Sequence, residues 1–87
     1  MVKVFLPPLL REATGNVDQI EIDAATVRQV VTALEMRFPG VRQRLCVGDA
    51  LRPGLSVAVN GAVSSLGLLQ KVPDGAEVHF LPAVGGG

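Results

Sequence analysis

The chain has 87 residues, and eight Lys or Arg balance eight Asp or Glu, so it is formally uncharged at pH 7. That length fits one domain with a modest core and leaves little room for a deep catalytic cleft. With no cationic excess, no Trp or Tyr and only Phe5, Phe38 and Phe80 as aromatics, it lacks the phosphate-neutralising charge and the stacking platforms of a nucleic-acid binder. The first element, "MVKVFL", is a predicted strand with Val2, Val4 and Leu6 on one face and Lys3 and Phe5 on the other. Pro7 and Pro8 end it, since neither can donate to a ladder. "REATGN" supplies turn chemistry at Gly15-Asn16, and "VDQIEID" follows as a second strand with Asp18, Ile20 and Ile22 on one side. Gln19 and Glu21 between them imply a sheet with one wet face.

The strongest local signal is "TVRQVVTALEMRF". Thr26 and Gln29 have capping-box spacing. Val27, Val30, Val31, Leu34 and Phe38 then recur as one apolar helical stripe, which Pro39-Gly40 stops. A stripe of this kind belongs to the core. "VRQRLCVGDALRPG" has no clean period and is expected to be an irregular link with at most a helical turn. "LSVAVNGAV" alternates Leu55, Val57 and Val59 before an Asn60-Gly61 hairpin turn. "SSLGLLQKV" is expected to hold a short turn of helix, and Pro73-Asp74-Gly75 is another turn. The last strand, "AEVHFLP", points Val78 and Phe80 one way and Glu77, His79 and Leu81 the other.

Strand, strand, helix, strand, short strand, strand is an α+β order with one helix packed across one face of a mixed sheet. If the first and last strands pair, they lie parallel at its centre, as in the β-grasp, or ubiquitin-like, roll. No internal repeat or second domain interrupts residues 1–82, and residues 83–87 are expected to form a flexible tail. Cys46 is the single cysteine, which excludes an internal disulfide, and no His cluster accompanies it to hold a metal. It is expected to be a small, semi-buried core residue. No apolar run reaches the roughly 20 residues of a membrane span, and the start shows no secretory leader, so a cytoplasmic protein with no membrane partner is expected.

"VNG" at residues 59–61, "VPDGAEVHFLP" at 72–82 and the closing "AVGGG" together resemble the small sulfur-carrier proteins of the MoaD and ThiS type. The resemblance follows the element order over the whole chain and is most specific in its last third. Asp74-Gly75 matches the family's turn, Pro82 its proline and Gly86-Gly87 its closing pair. Gly85 stands where the family usually has another small residue, and Ala76 departs from the acidic residue often found after the turn. The "LPAV" approach resembles the CysO branch, carriers for cysteine synthesis.

The resemblance implies a protein cosubstrate and not an enzyme. The Gly87 carboxylate would be adenylated with ATP by a ubiquitin-activating-type adenylyltransferase and sulfurtransferase. It would then become a thiocarboxylate that serves a sulfur-accepting synthase. The ATP would be bound by that enzyme, since this chain has no phosphate-cradling loop and no bound cofactor is expected. Gly85, Gly86 and Gly87 lack Cβ atoms and can conform to a narrow tunnel. From Pro82 the extended reach is roughly 20 Å, and Pro82 itself stiffens the base of the stalk.

Ordering such a tail costs entropy that a folded docking surface must offset. Phe5, Leu81 and Ala58, on the sheet face away from the helix, are the expected partner-binding cluster, together with Pro82. His79, on the same face beside Glu77, is expected to be an ordinary strand residue, because no proton to abstract lies within reach. Arg42, Arg44 and Arg52 form a second candidate contact area, against the commoner reading of a solvated charged loop. Three other functions remain open at this point. They are the small subunit of molybdopterin synthase, a ubiquitin-like protein modifier, and a plain binding module.

Overall fold

The computed structural model describes residues 1–82, so the tail at 83–87 lies outside the described residues. Strand β1 (Val2–Phe5) pairs antiparallel with β2 (Gln19–Ile22), setting Val4 opposite Ile20. On its other side β1 runs parallel to β7 (Glu77–Pro82), with Val4 beside Val78. Strand β5 (Leu55–Val59) pairs antiparallel with β7 and turns at Asn60-Gly61 into β6 (Ala62–Val63). The order β2-β1-β7-β5-β6 places the expected parallel pair at the centre of a five-stranded mixed sheet. The turn has positive φ at both central residues, 52° at Asn60 and 84° at Gly61, which matches the right-handed twist of the strands it joins.

Helix α2 (Val27–Arg37) crosses one face of this sheet. Its Val27, Val30, Val31 and Leu34 are buried against Val2, Val4, Val57, Val78 and Phe80, as period 3.6 on the helix and period 2 on the strands require. Thr26 caps the helix, its Oγ1 accepting the Gln29 N–H at 3.2 Å. The side-chain Oε1 of Gln29 reaches back to accept the N–H of Ala25 at 2.7 Å, one residue beyond the usual capping-box partner. Phe38, the last member of the stripe, is only half-buried.

Two stretches are more ordered than their sequence suggests. Residues 41–52 are not an irregular link. They form a short helix α3 (Val41–Leu45) and a small antiparallel hairpin, β3 (Cys46–Val47) with β4 (Ala50–Leu51). Val41 and Leu45 seal one end of the core, and Cys46 beside them is buried. Residues 8–14 hold a 3-10 turn (Pro8–Leu10) and helix α1 (Arg11–Thr14) in place of a bare loop, burying Leu10 and Thr14. The Thr14 hydroxyl donates to the Val17 carbonyl at 3.0 Å, so its burial leaves no unpaired oxygen. Asp18 falls just outside β2 and is exposed; its carbonyl accepts the Leu6 N–H at 2.8 Å. The expected helical turn after β6 is a 3-10 turn at Gly67–Leu69 that buries Leu68.

Candidate partner-docking face

The sheet face away from α2 is assembled by register. Phe5 of β1 is the partner of both Gln19 and His79, His79 of β7 faces Ala58 of β5, and Ala58 faces Val63 of β6. One row, Gln19–Phe5–His79–Ala58–Val63, therefore spans the whole width of the sheet. The next row towards the end of β7 pairs Leu81 with Ser56. In the opposite direction Glu21, Lys3 and Glu77 form a charged row. The middle of this face is thus apolar and one border is charged.

Phe5 is not a free side chain. Its ring lies flat on His79, with centroids 4.2 Å apart and planes 4° from parallel. The stack follows from the parallel register, which makes these two residues lateral neighbours, and it leaves both half-buried. Leu81 is also half-buried and Pro82 is exposed. Ala58 does lie on this face but is buried, so it floors the trough between His79 and Val63. Val63, 65% exposed, is the most open apolar residue of the row. It carries no family signature, yet the two-residue Asn60-Gly61 loop forces it opposite Ala58, and that register is legible in the sequence.

Pro82 ends β7 opposite Leu55, so any continuation of the chain leaves from the end of the sheet next to Leu81. Gly85, Gly86 and Gly87 lie outside the described residues. His79 is flanked by Phe5 and Ala58 across the sheet, as an ordinary strand residue would be. No cluster of His, Cys, Asp and Glu among the described residues could hold a metal ion, and no described helix is long and apolar enough to cross a membrane. Burial pushes the Cys46 thiol up from its ordinary pKa, against the pull of Arg42, Arg28 and Arg52, so the cysteine stays a protonated core residue.

Two grooves flank this arrangement. The larger, about 640 Å³, lies at the end of the sheet away from Pro82 and includes Asp23 and Asp74. The smaller, about 440 Å³, is lined by Leu9, Gly40, Gln43, Arg44 and Arg52. Arg44 and Arg52 of the second expected contact area therefore share one groove, whereas Arg42, half-buried, is not among its lining residues.

A five-stranded mixed sheet with a central parallel pair and one helix across it defines the β-grasp class, and solved structures agree. A chain of the Amycolatopsis orientalis BexX/CysO complex superposes with a TM-score of 0.89 at 35% identity, with all of both chains covered. Mycobacterium tuberculosis CysO gives 0.86 at 30% identity over 97% of this chain and 100% of that one. The small archaeal modifier protein 1 of Methanosarcina acetivorans gives 0.77 at 28% identity over 99% and 95%. In sequence, the sulfur carrier protein CysO of Mycobacterium tuberculosis is 36% identical, with 99% of this chain and 98% of the relative covered. The ThiS family matches residues 4–87, and this chain belongs to it.

Proposed function

We propose that the protein is a sulfur carrier of the CysO kind, a protein cosubstrate and not a catalyst, which delivers sulfur for cysteine synthesis from its C-terminal glycine. The observation that carries the reading is the 36% identity to sulfur carrier CysO across nearly the full length of both chains. The β7 register supports it, because the strand that leads to the glycines also contributes His79 and Leu81 to the apolar outer face. Gly87 is the working residue, Gly85 and Gly86 thread the partner's channel, and Phe5, Leu81 and Pro82 meet the partner's surface.

A carboxylate is a poor electrophile, since its charge repels nucleophiles and oxide is a bad leaving group. In the activating enzyme an oxygen of the Gly87 carboxylate attacks the α-phosphorus of ATP, and pyrophosphate leaves. Hydrosulfide, or its equivalent from a sulfur donor, then attacks the acyl carbon; AMP leaves with the oxygen, and a proton is released. The product is a thiocarboxylate for the sulfur-accepting synthase. The nucleotide site and electrostatic clamp belong to the enzyme. This chain contributes the narrow stalk and the docking face that offsets the stalk's ordering.

The test is the intact mass of the chain after incubation with its organism's activating enzyme, ATP and sulfide. A gain equal to exchanging one oxygen for sulfur, lost when Gly87 is deleted, is expected. An unchanged mass with an active enzyme overturns the reading. The likeness to small archaeal modifier protein 1 favours protein modification as the second reading. Target proteins shifted to higher mass on a denaturing gel, dependent on Gly87, would select it.

A further inference from the structure

Zero net charge conceals a polar molecule. Arg28, Arg37, Arg42, Arg44 and Arg52 all fall within residues 28–52, where only Glu35 and Asp49 are acidic. The topology sorts part of this charge along the strand axis. Strands β1 and β7 are parallel and end at the same end of the sheet, and antiparallel β5 begins there. Leu9 follows the end of β1, and Arg52 precedes the start of β5, held by the bond from the Leu55 N–H to the Arg52 carbonyl at 3.0 Å. The groove lined by Leu9, Gly40, Gln43, Arg44 and Arg52 therefore opens at the end from which the chain continues beyond Pro82. Asp23, Asp74 and Glu77, after β2 and before or at the start of β7, sit at the other end.

The guanidiniums in the groove are held by backbone. Arg52 donates its Nε–H to the Gln43 carbonyl at 2.8 Å, which orients the fork and leaves its terminal nitrogens to a partner. It has no acidic partner among the described residues. Arg44 reaches the Leu9 carbonyl at 3.5 Å, and its Nη2 lies 3.8 Å from an oxygen of Glu12, a long and exposed pair. An exposed pair of this kind is weak, so a better-placed carboxylate can displace Glu12 at little cost.

We propose that the Arg44–Arg52 groove docks an acidic surface of the activating enzyme, beside the channel that takes the glycine tail; this rests on the carrier reading above. Charge complementarity selects the occupant. Any enzyme that draws the tail into a channel covers the end of the sheet where the tail begins, and at that end it meets the groove's two guanidiniums.

The experiment is ATP–pyrophosphate exchange by the organism's activating enzyme, titrated with the full chain at several salt concentrations. Arg44→Glu together with Arg52→Glu is expected to raise KM for the carrier about tenfold and flatten the salt dependence of kcat/KM, as rim charges that steer association do. The effect should fall on KM rather than kcat. Glu12→Gln removes only a weakly held carboxylate and is expected to leave KM close to that of the parent. Unchanged KM and salt slope in the double reversal, with circular dichroism like that of the unsubstituted chain, overturn the inference, as does a loss confined to kcat. If the double reversal fails to fold, an unchanged KM and salt slope in the exposed single variant Arg44→Gln overturn it instead. The unsubstituted chain failing to support exchange overturns the carrier reading, and this inference with it.

Discussion

The Glu35 carboxylate accepts the Arg42 N–H at 2.9 Å and the Gly40 N–H at 3.1 Å, from the last turns of α2 across the chain reversal into α3. These bonds, led by the one from Arg42, hold its pKa below the usual glutamate value. A carboxyl group depressed in the folded state adds stability that is complete above its unfolded pKa and is lost as pH falls through the folded one. Glu35→Ala should therefore lower the thermal midpoint at neutral pH, and the difference from the parent should close in acid. Thermal melts at about pH 7 and about pH 2 read both ends of that window. Asn60 tests a backbone term instead. It occupies a left-handed conformation, and its Oδ1 accepts the Glu77 N–H at 2.9 Å. Asn60→Ala loses the hydrogen bond and strains φ, for about 1–3 kcal/mol in urea unfolding. Asn60→Gly loses the bond without the strain and should cost less.

At the scale of elements, α2 is where local and tertiary signals agree. Leu34→Ala, at a fully buried position of its stripe, should cost about 2–5 kcal/mol, whereas Thr26→Ala should cost about 1 kcal/mol through the lost cap. Denaturant midpoints of the two variants check that order. The stripe and cap of α2 were legible because an eleven-residue helix repeats its pattern several times. Helix α3 was not, because five residues complete barely more than one turn, and the N–H of its Arg42 is held by Glu35, outside the segment. The β3–β4 hairpin has two residues per strand, too few for alternation to register. Only Gly48-Asp49 between them carries a turn signal, with Gly48 at a φ of 60°. In residues 7–14 the prolines end β1, as their missing N–H groups dictate, but Pro8 also starts the following 3-10 turn, where its missing N–H is no loss.

At the scale of the molecule, the candidate docking face depends on register, and register is only partly written in sequence. Alternation assigned Phe5, His79 and Leu81 to one face, and the Asn60-Gly61 loop fixes Ala58 against Val63. The Phe5–His79 stack needed the parallel pairing of β1 and β7, which a crossover through most of the chain sets and no local pattern encodes. Proximity in sequence marked Arg44 and Arg52 as a candidate contact area, whereas the groove they share with Leu9 and Gly40 needs the tertiary fold. If both surfaces meet one activating enzyme, their energetics must differ in kind. Leu81 would lose apolar contact next to the tail, which ionic strength hardly alters, while Arg44 and Arg52 act through a screened field. Leu81→Asn should raise KM for the carrier about tenfold and leave the salt slope of kcat/KM close to that of the parent. Glu77→Gln, on the charged row furthest from Pro82, should change KM little. Pyrophosphate exchange at two ionic strengths separates these effects. Equal losses at Leu81 and Glu77 would mean that the partner does not favour the tail end of the sheet. A salt slope flattened by Leu81→Asn as much as by the arginine reversals would place both in one electrostatic contact.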